Sequence, residues 1–379
     1  MSQPSFRRSL LVLLAIVSLV GLAIGCDASS TDPADEGDPT TPPTVAPDAG
    51  SATPPAPPAA SPPPGPMSMD PPQSPPPMPP PPPAPPPREH MRINARCGDP
   101  APEGAPTPPP LPAYSGGVCP TLVPGENTIV SHGVSRRFQL VVPRELREDE
   151  RLPVFVVWHH WGGEADSIVS NGQVQESADS LRFLGLVPEK RGDLAFDVFG
   201  NEIDPAWPYL NTASDARVEE EARFFDDMLA CAAASYPIDE SCISTAGVSA
   251  GALWVAQLMQ VRSERLSSAL VISGGIGPAT SLGFIDARGW TGATRAIPVM
   301  MGWGGPSDQC ALSFERASTQ LEDHLAAGGN FVVECVHNCG HRVPPVDPAA
   351  GLQVLYRFAL DHPYWLPPGE SPYWSNGMP

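Results

Sequence analysis

The chain has 379 residues, 53 of them proline, and a formal net charge of −20. That charge argues against nucleic acid or an anionic membrane surface as a partner, since both attract basic patches. Most prolines fall between residues 33 and 124, most densely over 71–87. Such a stretch cannot bury enough apolar surface to offset the entropy of ordering it. Only the part from about residue 91 onward has the composition and length of a folded domain with a sizeable core.

Arg7 and Arg8 form a positive start, followed by an apolar run over residues 10–24. At about fifteen residues the run is short for a membrane span, which needs about twenty, and it reads as an export signal. Gly25-Cys26 follows directly and resembles a bacterial lipobox, in which the cysteine is lipidated and becomes the new N-terminus. The expected organisation is a lipoprotein-type signal peptide at 1–25, a disordered Pro-rich linker at 26–90 and a folded domain at 91–379. Ordinary cleavage, leaving Cys26 unmodified and the protein secreted, is the alternative. A linker held wholly in polyproline II from residue 27 to 87 would reach at most about 190 Å, at roughly 3.1 Å per residue. No second apolar span follows, so the membrane is expected as a partner only through the lipid. Eight cysteines in an exported chain point to disulfides. Cys97 with Cys119 and Cys231 with Cys242 are the expected local pairs, with Cys310 meeting Cys335 or Cys339.

In the folded part, residues 127–131 and 135–142 alternate apolar and polar around His132-Gly133, as a β-hairpin does. The valine-rich run at 152–158 has the pattern of a strand covered on both faces, and 184–187 is a shorter one. Residues 219–234 have helical periodicity, with Phe224, Phe225, Met228 and Leu229 on one face. Then come a strand at 242–247, a helix at 250–261, and strands at 269–272 and 297–301. A helix at 314–327 stops at Gly328-Gly329, and a last strand (331–336) and helix (351–360) close the series. Strands alternating with helices imply an α/β domain: a mostly parallel central sheet with helices on both faces.

Gly247-Val248-Ser249-Ala250-Gly251 lies where a strand gives way to a helix. Small residues there permit the sharp turn that lifts a serine hydroxyl above the sheet edge, while the helix start aims backbone N–H groups beside it. The Ala250 N–H is then placed to hold an oxyanion. A hydroxyl needs a base to take its proton, and the base needs a third group to orient it. Asp308, in the loop after the 297–301 strand, and His341, after the 331–336 strand, follow Ser249 in the order this architecture requires. His337 is the rival base and Glu315 the rival acid, the latter placed inside a helix; His324 and His362 read as surface helix positions. Cys335, His337, Cys339 and His341 alternate in a way that invites a zinc reading, but the spacing is not that of a zinc site, and no metal is expected. His159-His160-Trp161-Gly162-Gly163 follows the buried 152–158 strand and should supply the second oxyanion donor, near Trp161.

These motifs, together with 137–143 (RFQLVVP), Ile238-Asp239 and Gly340-His341, resemble the polyhydroxybutyrate depolymerase and feruloyl esterase branch of the α/β-hydrolases. The similarity spans roughly residues 119–362. It implies an α/β-hydrolase fold and a secreted carboxylic ester hydrolase that works through an acyl-enzyme, needs no cofactor and acts on a small or polymer-borne ester. Feruloyl or acetyl esters of polysaccharide, or short polyesters, are the implied substrates. The chain departs from the branch in carrying Val248 and Ala250 around the serine, where phenylalanine or leucine and asparagine are common. It also has His160-Trp161 where a tighter His-Gly is usual. The aromatic segment 191–209, with Trp207 and Tyr209, is expected to line a substrate pocket alongside His160. Trp365, Tyr373 and Trp374 are expected to seal the domain. A prolyl-oligopeptidase-like peptidase and a non-catalytic binding lipoprotein with the same fold are the alternative functions.

Overall fold

Turn-bounded apolar runs draw the chain into one sheet, because a strand apolar on both faces must be covered on both. A computed structural model describes residues 95–198, 201–280, 285–344, 346, 351–367 and 369–373. The expected signal peptide and Pro-rich linker, with Cys26 and Trp374, lie outside the described residues. The first half comprises β1 (Gly125–Ser131), β2 (Val134–Val141), β3 (Leu152–Trp158), α1 (Ala165–Asn171), α2 (Val174–Leu181) and β4 (Leu184–Pro188). A small hairpin, β5 (Phe196–Val198) and β6 (Asn201–Ile203), leads to α3 (Asp215–Ser235), β7 (Ile238–Val248), α4 (Ala250–Arg262) and β8 (Ser268–Ile272). Last come β9 (Val299–Trp303), β10 (Gln309–Cys310), β11 (Leu312–Ser313), α5 (Phe314–Ala327), β12 (Val332–Val336) and α6 (Gln353–Leu360).

The main sheet has eight strands in the order β1-β2-β4-β3-β7-β8-β9-β12. β2 pairs antiparallel with both its neighbours, and every other pair in the sheet is parallel. One face packs a core that includes α3, α4 and α5, and the other packs α1, α2 and α6. β3, β4, β8 and β9 are buried along their whole length, as their unbroken apolar runs require. β9 begins two residues later than the sequence pattern suggests, because Pro298 has no N–H to give the ladder. α1 and α2 escape the pattern reading because seven and eight residues are too few for a helical period to stand out.

The cysteine pairing differs from the local expectation. Cys97 bonds Cys242 and Cys119 bonds Cys231, across 145 and 112 residues. Cys231 belongs to the core on the α3 side, with Cys119 packed against it, whereas Cys97 packs against the opposite core. The two cysteines that are neighbours in sequence therefore serve different faces of the sheet. Together the bonds staple the irregular segment 95–124 to β7 and α3. Cys335 and Cys339 are free thiols, so neither joins Cys310.

His362 is a second correction: it is buried, not on the surface. Its Nδ1 donates to the Phe358 carbonyl at 2.6 Å and its Nε2 faces the Ser371 hydroxyl at 2.6 Å. Beside it Tyr373 donates to Asp361 at 2.6 Å, and Trp365 packs with Ala95 and Leu366, so these two aromatics close the domain. Among the described residues no helix is long and apolar enough to cross a membrane.

Peptide mapping without reduction should recover Cys97–Cys242 and Cys119–Cys231 peptides. Cys119→Ser with Cys231→Ser should cost about 2–5 kcal/mol of unfolding free energy, given the length of chain that this bond closes. Recovery of a Cys231–Cys242 peptide from native protein would contradict the fold.

Candidate active site

In open parallel sheets, sites form outside the carboxyl ends of the strands where the winding direction reverses. Here that point lies between β3 and β7: β4 follows on one side of β3, and β7 and the strands after it lie on the other. β3 ends at Trp158, which pairs with Gly247 across the ladder, one residue before β7 ends at Val248.

The turn out of β7 is tight. Ser249 has φ 56° and ψ −121°, a left-handed backbone that is strained for a residue with a side chain. A Cβ at Gly247 would lie 2.4 Å from the Gly251 carbonyl carbon, and one at Gly251 only 2.2 Å from the Trp158 carbonyl oxygen. Glycine at both positions is what lets α4 start this close to the sheet, and the strained turn presents Ser249 at the carboxyl edge. Trp158 anchors the contact: its ring packs edge-on against Trp207 (4.9 Å) and Trp254 (5.7 Å), and its Nε1 donates to Thr245 at 2.9 Å.

Ser249, His341 and Asp308 come together although 92 and 33 residues separate the hydrogen-bonded pairs. Ser249 Oγ lies 2.9 Å from His341 Nε2, and His341 Nδ1 lies 2.7 Å from Asp308 Oδ1. Asp308 is fully buried and acceptor-only when ionised; Nδ1 therefore carries the imidazole proton and Nε2 accepts from the serine hydroxyl. The second carboxylate oxygen, Oδ2, accepts from Ser273 Oγ and from the Gly304 N–H, both at 2.8 Å. Phe314 stacks on the His341 ring, with centroids 4.3 Å apart and planes 19° from parallel. Neither Ser273 nor Phe314 stands out in the sequence; a small polar residue just after β8 and an aromatic opening α5 are signals shared with ordinary caps. Gly304 meets the histidine loop closely: a Cβ there would fall 1.9 Å from the Gly340 carbonyl oxygen.

The rivals are placed elsewhere. His337 accepts a hydrogen bond from the Cys339 N–H at 3.2 Å and bonds neither Ser249 nor Asp308. Glu315 lies in the first turn of α5. Among the described residues no three or more His, Cys, Asp or Glu side chains converge to hold a metal ion.

On the other side of Ser249, Ala250 opens α4, and its N–H has no acceptor within the helix. Trp161 sits in the turn after β3, its ring packed against the core. His160 faces a cleft beside Val248. Trp207 and Tyr209 do not line it. Trp207 is fully buried, its ring against Trp158 and its Nε1 donating to the His159 carbonyl at 2.8 Å. Tyr209 is also buried, and burial pushes its phenol well above the usual range. The aromatic segment therefore holds the loop after β3 from behind, because its large rings gain more from the core than from solvent. His159 is buried beneath this loop: Nδ1 donates to the His160 carbonyl at 2.8 Å, and Nε2 lies 3.7 Å from Glu189. Burial lowers its pKa to about 4, so at neutral pH the His159–Glu189 approach is no ion pair.

Strand order, elbow and the Ser-His-Asp geometry decide the architecture. The chain has the α/β-hydrolase fold. The crystal structures of native sOPH and native pOPH share it, each with a TM-score of 0.52, at 18% and 19% identity. They cover 67% and 69% of this chain and 92% and 94% of their own. In sequence the chain is 24% identical to feruloyl esterase D of Neurospora crassa over 164 residues, which is 43% of this chain and 54% of that protein. It thus spans about half the length of the curated relative it matches. No protein-family model matches this chain.

Burial also lowers the pKa of His362 to about 4. Both His159 and His362 are then neutral when folded but protonate near pH 6.5 when unfolded. Their contribution is fully present above about pH 6.5 and is lost as the pH falls towards 4, by about 3 kcal/mol for each histidine. Chemical denaturation followed from pH 7 to 4.5 should show this fall, with a shallower slope in His362→Gln. A stability independent of pH across that window would contradict the burial of both rings.

Proposed function

We propose that the chain is an exported serine esterase that hydrolyses carboxylic esters through an acyl-enzyme intermediate. The observation that carries this reading is the continuous relay from Ser249 Oγ through His341 to a buried Asp308, at 2.9 and 2.7 Å. The resemblance to a feruloyl esterase supports ester as the bond cleaved, and the Cys97–Cys242 and Cys119–Cys231 bonds suit an oxidising compartment.

Ser249 Oγ attacks the ester carbonyl carbon as His341 Nε2 takes its proton. Asp308 stabilises the imidazolium so formed and, with its other oxygen held by Ser273 and Gly304, keeps the ring aimed at the serine. The carbonyl oxygen becomes an oxyanion, which the Ala250 N–H and an N–H near Trp161 receive; such a donor is worth about 10²–10³ in rate. Collapse breaks the C–O bond, and His341 returns its proton to the departing alcohol. Water repeats the sequence on the acyl-enzyme and releases the acid. A peptidase of the prolyl-oligopeptidase kind would carry a large extra β domain. Among the described residues the other sheets are two-stranded, which favours the esterase.

Hydrolysis of p-nitrophenyl acetate and butyrate by the full chain should fall about 10⁶-fold in Ser249→Ala and about 10⁴-fold in Asp308→Asn. Ser273→Ala should lower kcat about tenfold at unchanged KM, through loss of one charge-assisted hydrogen bond. A folded wild type that neither turns over esters nor reacts with a fluorophosphonate would favour the binding lipoprotein instead.

A further inference from the structure

Phe314 lies on the histidine that the proposed chemistry charges. Its ring and that of His341 have centroids 4.3 Å apart and planes 19° from parallel, so one face of the imidazole rests on an aromatic face. Asp308 meets the same imidazole at its edge, through Nδ1, and Ser249 meets it at Nε2. Little solvent reaches the pair: the His341 side chain is 11% exposed and Phe314 2%. The Phe314 N–H donates to the Asp308 carbonyl at 3.0 Å, so the residue that holds the edge of the imidazole also anchors the residue on its face. Further along α5, Ser318 Oγ donates to the Gly274 carbonyl at 2.8 Å, and the Ile276 N–H donates to the Ala317 carbonyl at 3.2 Å. These bonds tie the start of α5 to the loop after β8. The aromatic ring is thus held against the imidazole by its backbone and by the core it belongs to.

An aromatic face carries the negative part of the ring's quadrupole and attracts a cation placed over it. Flat, delocalised cations stack on such a face, as the arginine guanidinium does, and imidazolium is a cation of that shape. Neutral imidazole gains less from the same face, so the attraction grows as Nε2 takes the Ser249 proton. Burial strengthens it, because little water screens the new charge. An interaction that is stronger in the transition state than in the ground state raises kcat, whereas one made equally in both lowers only KM.

We infer that Phe314 is a positioning residue for His341 whose ring face also stabilises the imidazolium formed during ester cleavage. The inference rests on the ester-hydrolysis reading above and adds an aromatic group to the residues that support its charged state. Asp308 acts on the edge of the imidazole and Phe314 on its face.

The test weakens the aromatic face while keeping its shape. In the full chain, Phe314 is exchanged for its mono-, di- and trifluorinated analogues, because ring fluorines withdraw charge from the face at nearly constant size. The logarithm of kcat for p-nitrophenyl butyrate should fall stepwise along the series at unchanged KM. Phe314→Leu, which offers bulk and no aromatic face, should lose about tenfold in kcat. A trifluoromethyl ketone added to Ser249 holds the same imidazolium at equilibrium, so its affinity should weaken in step with kcat. The fluorinated proteins keep the core filled and carry the test if Phe314→Leu fails to fold. A fluorinated series with flat kcat and flat ketone affinity overturns the inference alone, whatever Phe314→Leu does, because the ring then acts by shape. Wild type that is neither active nor labelled at Ser249 by a fluorophosphonate overturns the esterase reading and this one with it.

Discussion

The start of α4 is pressed against the end of β3 so closely that the carbonyl of Trp158 lies where a Gly251 side chain would begin. Two glycines admit this contact, and the left-handed turn at Ser249 is the strained consequence, at a cost of about 1–3 kcal/mol. Such strain persists only where the surroundings over-determine it. Here Trp158, Trp207 and Trp254 form a fully buried aromatic cluster under the turn, and Ser249 N–H donates to Ile272 at 2.9 Å. The serine hydroxyl is therefore held at the carboxyl edge of the sheet by packing.

The acidic side of the site is organised by a different force. A carboxylate removed from water is costly unless its oxygens are hydrogen-bonded. Asp308 meets that requirement with three donors: His341, Ser273 and the Gly304 N–H. The same bonds fix which way the imidazole points, while Phe314 restricts its plane. Stability and chemistry thus draw on the same contacts, and the close approach of Gly304 to Gly340 couples the acid loop to the histidine loop.

The segment carrying Trp207 shows how packing can claim residues whose chemistry suggests a surface role. Its indole N–H satisfies the His159 carbonyl from behind, so it supports the loop after β3 without facing solvent. A cleft on the α1 and α6 side of the sheet is lined instead by residues such as Ile168, Leu352 and Leu355 together with the ends of β7 and β8.

Much of this was legible in the chain itself. Alternation and apolar runs determined strands such as β3 and β8, because burial on both faces demands continuous apolar residues. The order Ser249, Asp308, His341 could be assigned because each sits just after a strand, a local property. The pairing of the cysteines, the burial of Trp207, Tyr209 and His362, the support from Ser273 and Phe314, and the apolar cleft were decided only by the tertiary structure. The physical reason is common to all of them. Which side of the sheet a residue faces, and what lies opposite, depends on contacts between segments tens to hundreds of residues apart, as in the 145 residues between Cys97 and Cys242. A sequence pattern records a residue's own preference for burial; it does not record the neighbour that satisfies it.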